Sequence, residues 1–165
     1  MTPQTLEDIH SVIIHCSATR EDEWITAKMI DTWHREQNGW SMIGYHRVIR
    51  LDGAVEQGRL LERRGAHVAG NNVNTIGICM IGGLDQNGFA KDTYNGQQYT
   101  QLYRELVNLK MLCPNITSVK GHRDYSPDLN GDGLIGKSEW IKECPCFDVR
   151  MKLEGWRLTE FLADV

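Results

Sequence analysis

The sequence predicts a single-domain α/β (α+β) fold in which a central mixed sheet of five or six strands is flanked by helices. Three stretches carry that expectation: the β-branched run Val12, Ile13, Ile14, the continuous apolar run TIGICMIG at residues 75–82, and an amphipathic segment at residues 97–113. A length of 165 residues, 41% apolar and 24% charged, suits one domain with an ordinary core and argues against disorder.

Residues 11–16 read as the first strand, because three β-branched residues lie between polar neighbours, and this strand delivers His15 near its end. Thr26 can cap a helix running to about residue 37, with Met29, Ile30 and Trp33 at helical spacing and Gly39 as the stop. Residues 45–50 and 54–57 flank Leu51-Asp52-Gly53, an Asp-Gly turn signal, so they read as a hairpin opened by Tyr45. The apolar run at 75–82 has strand length and no polar face, as expected of the middle strand of a sheet covered on both sides. In the segment 97–113, Tyr99, Leu102, Leu106, Leu109 and Leu112 recur at three- and four-residue steps before Pro114, the pattern of an amphipathic helix. Residues 116–120 then read as a strand entering His122, and residues 156–162 as a closing helix.

Eighteen Lys and Arg against 22 Asp and Glu give a formal charge of −4, which excludes the global cationic field of a nonspecific nucleic-acid binder. The apolar run at residues 12–14 is too short for a signal or membrane helix, so the chain reads as cytoplasmic as synthesised, monomeric and without a membrane partner. Five cysteines, an odd number, argue against a disulfide framework. Cys16, Cys79 and Cys113 read as buried thiols; Cys16 follows His15 on a strand, where successive side chains point to opposite faces.

His15, His122 and Cys144 are the residue types of a catalytic zinc site, which takes three protein ligands and leaves a fourth position open. A single histidine after a strand is as consistent with a polar core edge, so the context of all three matters. In order along the chain, IIHCSAT, GYH, Gly65-Ala66-His67 followed by NTIGICMIGG, GHRD and KECPCFD resemble the N-acetylmuramoyl-L-alanine amidases that include phage lysozyme-type amidases and peptidoglycan recognition proteins. The resemblance spans residues 12–148.

The resemblance implies a zinc ion in a surface groove, held by His15, His122 and Cys144; Cys146 offers a second thiol, but the family pattern Cys-Pro-x-Phe-Asp aligns its ligand with Cys144. It also implies catalytic roles for Tyr45 and Lys142, a substrate contact for His67, and peptidoglycan muropeptide as substrate. The bond cut would be the amide between N-acetylmuramic acid and L-alanine, reached after release or export by another route. Amide hydrolysis needs an activated water and a partner for the developing oxyanion: Tyr45 can position or deprotonate the water and Lys142 can stabilise the oxyanion. The alternative is a non-hydrolytic peptidoglycan-binding module. The cysteine ligand, which receptors of that kind usually lack, favours the enzyme. No HExxH helix points to another zinc hydrolase class.

Between His122 and Cys144 lie 21 residues, more than the phage amidases lead one to expect, and residues 128–139 fit the calcium-loop pattern D-x-[DN]-x-[DN]-G-x5-E. Asp128, Asn130, Asp132 and Glu139 would supply side-chain oxygens, Leu134 its carbonyl, and Gly133 the sharp turn. A structural calcium ion, five residues before Cys144, is the expectation for this loop.

Overall fold

The computed structural model describes residues 3–162. Five strands form the main sheet in the order β4-β3-β5-β1-β7. They are β1 (Ser11–Cys16), β3 (Arg47–Ile49), β4 (Val55–Gln57), β5 (Thr75–Met80) and β7 (Ser118–Gly121), while β2 (Thr19–Arg20) and β6 (Gly83–Leu84) make a separate parallel pair. β5 is the middle strand and pairs in parallel with β1 on one side and β3 on the other; β7 is parallel to β1, and only β4 runs antiparallel, as the return of the β3 hairpin. The sheet is therefore mixed and five-stranded. Every residue of β1 and β5 is buried, as their unbroken apolar runs require.

Alternation along β5 assigns the two faces. Ile76, Ile78 and Met80 join Val12 and Ile14 in a core with Leu102, Leu106 and Leu109 of α2 (Gly96–Leu112). Cys79 joins Ile30 of α1 (Ala27–Asn38) and Val48 on the opposite face. Both helices are closed by local chemistry. Thr26 Oγ1 accepts the Met29 N–H, and Gly39, at φ +68°, ends α1 in the left-handed conformation. Asn95 and Gln98 form a reciprocal capping box at the start of α2, and buried Gln98 also donates to the Ile81 carbonyl at 2.8 Å.

The closing helix lies earlier than residues 156–162. α3 is Val149–Gly155, capped by Asp148, whose side chain accepts the Met151 N–H, and only a 3₁₀ turn follows at Thr159–Phe161. The Asp148 cap and the inward-facing Val149 and Leu153 outweigh the apolar pattern downstream. Among the described residues, no helix is long and apolar enough to cross a membrane.

Residues 128–139 form an exposed loop closed on itself. Asp128 accepts N–H groups of Gly131 and Gly133, Asn130 accepts that of Asp132, and Asp132 accepts that of Leu134. Glu139, 5% exposed, turns back to accept from Leu129 (2.8 Å), Asn130 (3.2 Å) and Gly136 (2.7 Å). Replacing it by alanine orphans these donors, at a cost of about 2 kcal/mol. Glu139→Ala is therefore expected to lower the melting temperature by roughly 4–8 °C, read by calorimetry.

His46 is buried at the start of β3. Its Nδ1 accepts the Gly77 N–H at 3.0 Å, and its Nε2 donates to the Arg63 carbonyl at 2.8 Å, so the neutral ring is satisfied at both nitrogens. Burial, with smaller contributions from Arg59 and Arg47, pushes its pKa down to about 4 against the opposing pull of the Arg63 carbonyl. Below the unfolded value of about 6.5 the unfolded chain binds the proton more readily than the folded one, so this residue's contribution is lost as pH falls from about 6.5 to about 4. The predicted loss is at most about 3 kcal/mol, and His46→Gln flattens that part of a denaturant-unfolding profile against pH.

Candidate metal centre

β1, β5 and β7 run parallel, so their C-terminal ends share one edge of the sheet, the edge at which α/β folds place ligands. Ile14 pairs with Gly121, which sets His15, next on β1, beside His122, next after β7. Their Nδ1 atoms are 3.1 Å apart. Cys144 is brought to the same point by backbone ties: Arg123 N–H donates to the Cys144 carbonyl at 2.8 Å, and Cys16 N–H donates to Cys144 Sγ at 3.2 Å. Gly121 leaves room for this segment, because a Cβ there would come within 2.7 Å of Pro145 Cδ. Tyr94 completes the seat by donating its hydroxyl to the Pro145 carbonyl at 2.8 Å.

Cys144 Sγ lies 3.9 Å from His15 Nδ1, and the three donor atoms all fall within 4.8 Å of one another. Ligands around a tetrahedral zinc, with bonds of about 2.0–2.3 Å, stand about 3.4–3.6 Å apart, so the set needs only small adjustments to close on an ion. Its electrostatics suit a cation. Burial holds the His15 pKa well below the ordinary histidine value, helped by the charges of His67, His122 and Lys142. Burial and then Lys142 bring His122 to about 4. Both rings are therefore neutral near pH 7, with lone pairs to offer.

The thiols of Cys16, Cys144 and Cys146 lie together. Hydrogen bonds from the Cys144 and Cys146 thiols pull the Cys16 pKa down, and the same bonds together with burial push those of Cys144 and Cys146 up. A divalent ion beside Cys144 would draw the negative charge there instead. Cys146, at φ +73°, points its sulfur to Cys16 at 4.0 Å and is not part of the donor group.

His122 and Cys144 line a cavity of about 290 Å³, walled also by His34, Trp40, Tyr45, His67 and Lys142, while His15 is buried behind them. Tyr45 tilts against His15, ring centroids 5.1 Å apart, and burial raises its phenol well above the ordinary tyrosine range, with the nearby cysteine sulfurs adding to the rise. Lys142 is exposed at the groove. His67 also lines the groove but is 9% exposed, and its Nδ1 sits 3.0 Å from His15 Nε2, so it contacts a donor residue more closely than it faces solvent.

Trp40 and His34 were not singled out by sequence. They meet with centroids 4.8 Å apart just where α1 ends, and a tryptophan following a helix-stop glycine carries no spacing signal. The calcium expectation for residues 128–139 gains no support from the geometry. The carboxylates of Asp128, Asp132 and Glu139 are not among the groups close enough to share an ion, and Glu139 and Asp128 spend their oxygens on the loop's own N–H groups; the Asn130 and Asp132 side chains bond each other, and Leu134 is exposed. Among the described residues, His15, His122 and Cys144 are the one grouping that can hold a metal.

The endolysin of Enterobacteria phage K11 is 33% identical to this chain over 144 residues, covering 87% of the chain and 85% of the endolysin. An uncharacterised protein of Haemophilus influenzae is 48% identical over 99 residues, 60% of this chain and 84% of that protein. Among solved structures, the N-acetylmuramoyl-L-alanine amidase LysC from Clostridium intestinale superposes with a TM-score of 0.67 at 28% identity, covering 94% of this chain and 91% of that one. The family model for N-acetylmuramoyl-L-alanine amidases matches residues 5–138, and the chain belongs to that family.

Proposed function

We propose that this chain is a zinc-dependent N-acetylmuramoyl-L-alanine amidase, a cell-wall lytic, endolysin-like hydrolase that cuts the amide between N-acetylmuramic acid and L-alanine in peptidoglycan. The observation that carries the reading is the convergence of His15, His122 and Cys144, whose donor atoms lie within 4.8 Å of one another, beside a cavity that His122 and Cys144 line. Family membership and the phage endolysin relatives support the substrate and the bond. The cysteine donor favours hydrolysis over binding alone. The protein would act as a monomer on the wall after release or export by another route.

Zinc held by such a donor set would supply Lewis acidity toward a carbonyl and would bring the pKa of a bound water down to about 7. The chain's own residues do the rest. Tyr45, its phenol held protonated by burial, positions the attacking water by hydrogen bonding rather than serving as a phenolate base. Lys142 presents a fixed positive charge at the groove, where the amide oxygen gains negative charge as the tetrahedral centre forms. Trp40 and His34 wall one side and limit water access to the reacting amide.

Metal analysis of purified protein should find one zinc per chain, lost in Cys144→Ala. Digestion of peptidoglycan, read by mass spectrometry, should release stem peptides beginning with a free L-alanine amine; cleavage of any other bond rejects the reading. Lys142→Ala and Tyr45→Phe should each lower turnover about 100-fold or more with zinc retained. Near-wild-type turnover in either removes that residue from the mechanism.

A further inference from the structure

His67 lies outside any helix or strand, yet its ring is fixed at both ends. Nδ1 is 3.0 Å from His15 Nε2, and Nε2 is 3.5 Å from Thr75 Oγ1, which is itself 2.8 Å from the Asn71 carbonyl oxygen. The place for the ring is built into the backbone. A Cβ at Gly77, inside β5, would come within 2.7 Å of His67 Cδ2, and one at Gly65 within 2.4 Å. Asn72 Oδ1 fastens the chain below by accepting the N–H groups of His67 (2.7 Å) and Val68 (2.9 Å).

Proton direction along this chain follows from its far end. The Asn71 carbonyl can only accept, so the Thr75 hydroxyl must donate to it. Thr75 Oγ1 is then left as the acceptor of the His67 Nε2–H. A neutral imidazole carries one N–H, so His67 Nδ1 has a lone pair and accepts from His15 Nε2–H. By the same rule His15 Nδ1, the atom that faces His122 and Cys144, carries no proton.

We propose that His67, set in turn by Thr75, is a positioning residue that holds His15 in the tautomer presenting a bare Nδ1 to the metal. The inference deepens the zinc reading and rests on it. Groups that donate or accept at the far nitrogen of a ligating histidine fix both its tautomer and its ring orientation. Here that partner is a second histidine, anchored to a backbone carbonyl through a hydroxyl, with no carboxylate in the chain.

Two readouts separate this from a merely structural role. In the metal-free protein, nitrogen-15 NMR of the ring nitrogens should show His15 as the Nε2–H tautomer, and Thr75→Val should mix in the other tautomer. Zinc affinity, measured by chelator competition, should fall about 10- to 100-fold in His67→Leu. His67→Asn, whose side-chain oxygen can stand in for Nδ1, should stay within about threefold of wild type. The d–d absorption of the cobalt-substituted protein should shift in His67→Leu and hold in His67→Asn. A His15 ring protonated at Nδ1 in the wild type, or zinc affinity of His67→Leu within twofold of wild type, overturns the proposal. Wild-type protein that takes up no zinc overturns the zinc reading as well, whereas tight wild-type binding with an indifferent His67→Leu overturns this inference alone.

Discussion

The in-register parallel pairing of β1 with β7, Ile14 opposite Gly121, is the constraint on which the candidate metal centre depends. It sets two histidines from distant parts of the chain side by side at one sheet edge with no loop needed to aim them. A shift of one residue on either strand would turn His15 to the other face, exchanging it with the core position of Ile14 or Cys16. The complete burial of β1 and β5 makes such a slip costly. The hydrophobic pattern of the two strands and the position of the donors are thus one specification.

The third donor reaches the same point by different means. Cys144 belongs to no strand or helix and is held by the backbone bonds to Arg123 and Cys16 and by the packing of Pro145 on Gly121. Arg123 extends that anchorage: its guanidinium stacks on Trp140 at 3.9 Å and pairs with Asp148 at 3.6 Å, joining the exit of the 128–139 loop to the cap of α3. The segment after β7 is therefore fixed on both sides of the cysteine. The same dryness that keeps His15 and His122 neutral keeps the Tyr45 phenol protonated, so burial leaves two candidate ligands with lone pairs and constrains the role of a third residue.

Much of this was legible in the sequence, for identifiable reasons. β1, β5, α1 and α2 announce themselves because period, apolar content and caps agree at each. Of the candidate donor histidines, His15 lies near the end of β1 and His122 directly follows β7, and both strand ends are readable. The place of α3 is hidden in the sequence because its cap, Asp148, lies within KECPCFD, and the apolar pattern is stronger downstream at residues 156–162. The loop at 128–139 is legible in two ways. Asp, Asn and Gly at these spacings serve calcium loops, but they equally serve turns in which side-chain oxygens accept N–H groups two or three residues on, and here the turn bonds are made. The resemblance implies a substrate contact for His67, which lines the groove, but nothing in Gly-Ala-His foretells that glycines at 65 and 77 open a seat beneath its ring.

The three donors are separated by 107 residues between His15 and His122 and by 129 between His15 and Cys144. No local hairpin or helix pair can assemble them early. The site closes only after the non-local pairing of β1 with β7 has formed, late in any folding route governed by loop closure. An ion captured there binds the native state and not its fragments, so its binding free energy adds to the stability of the whole domain.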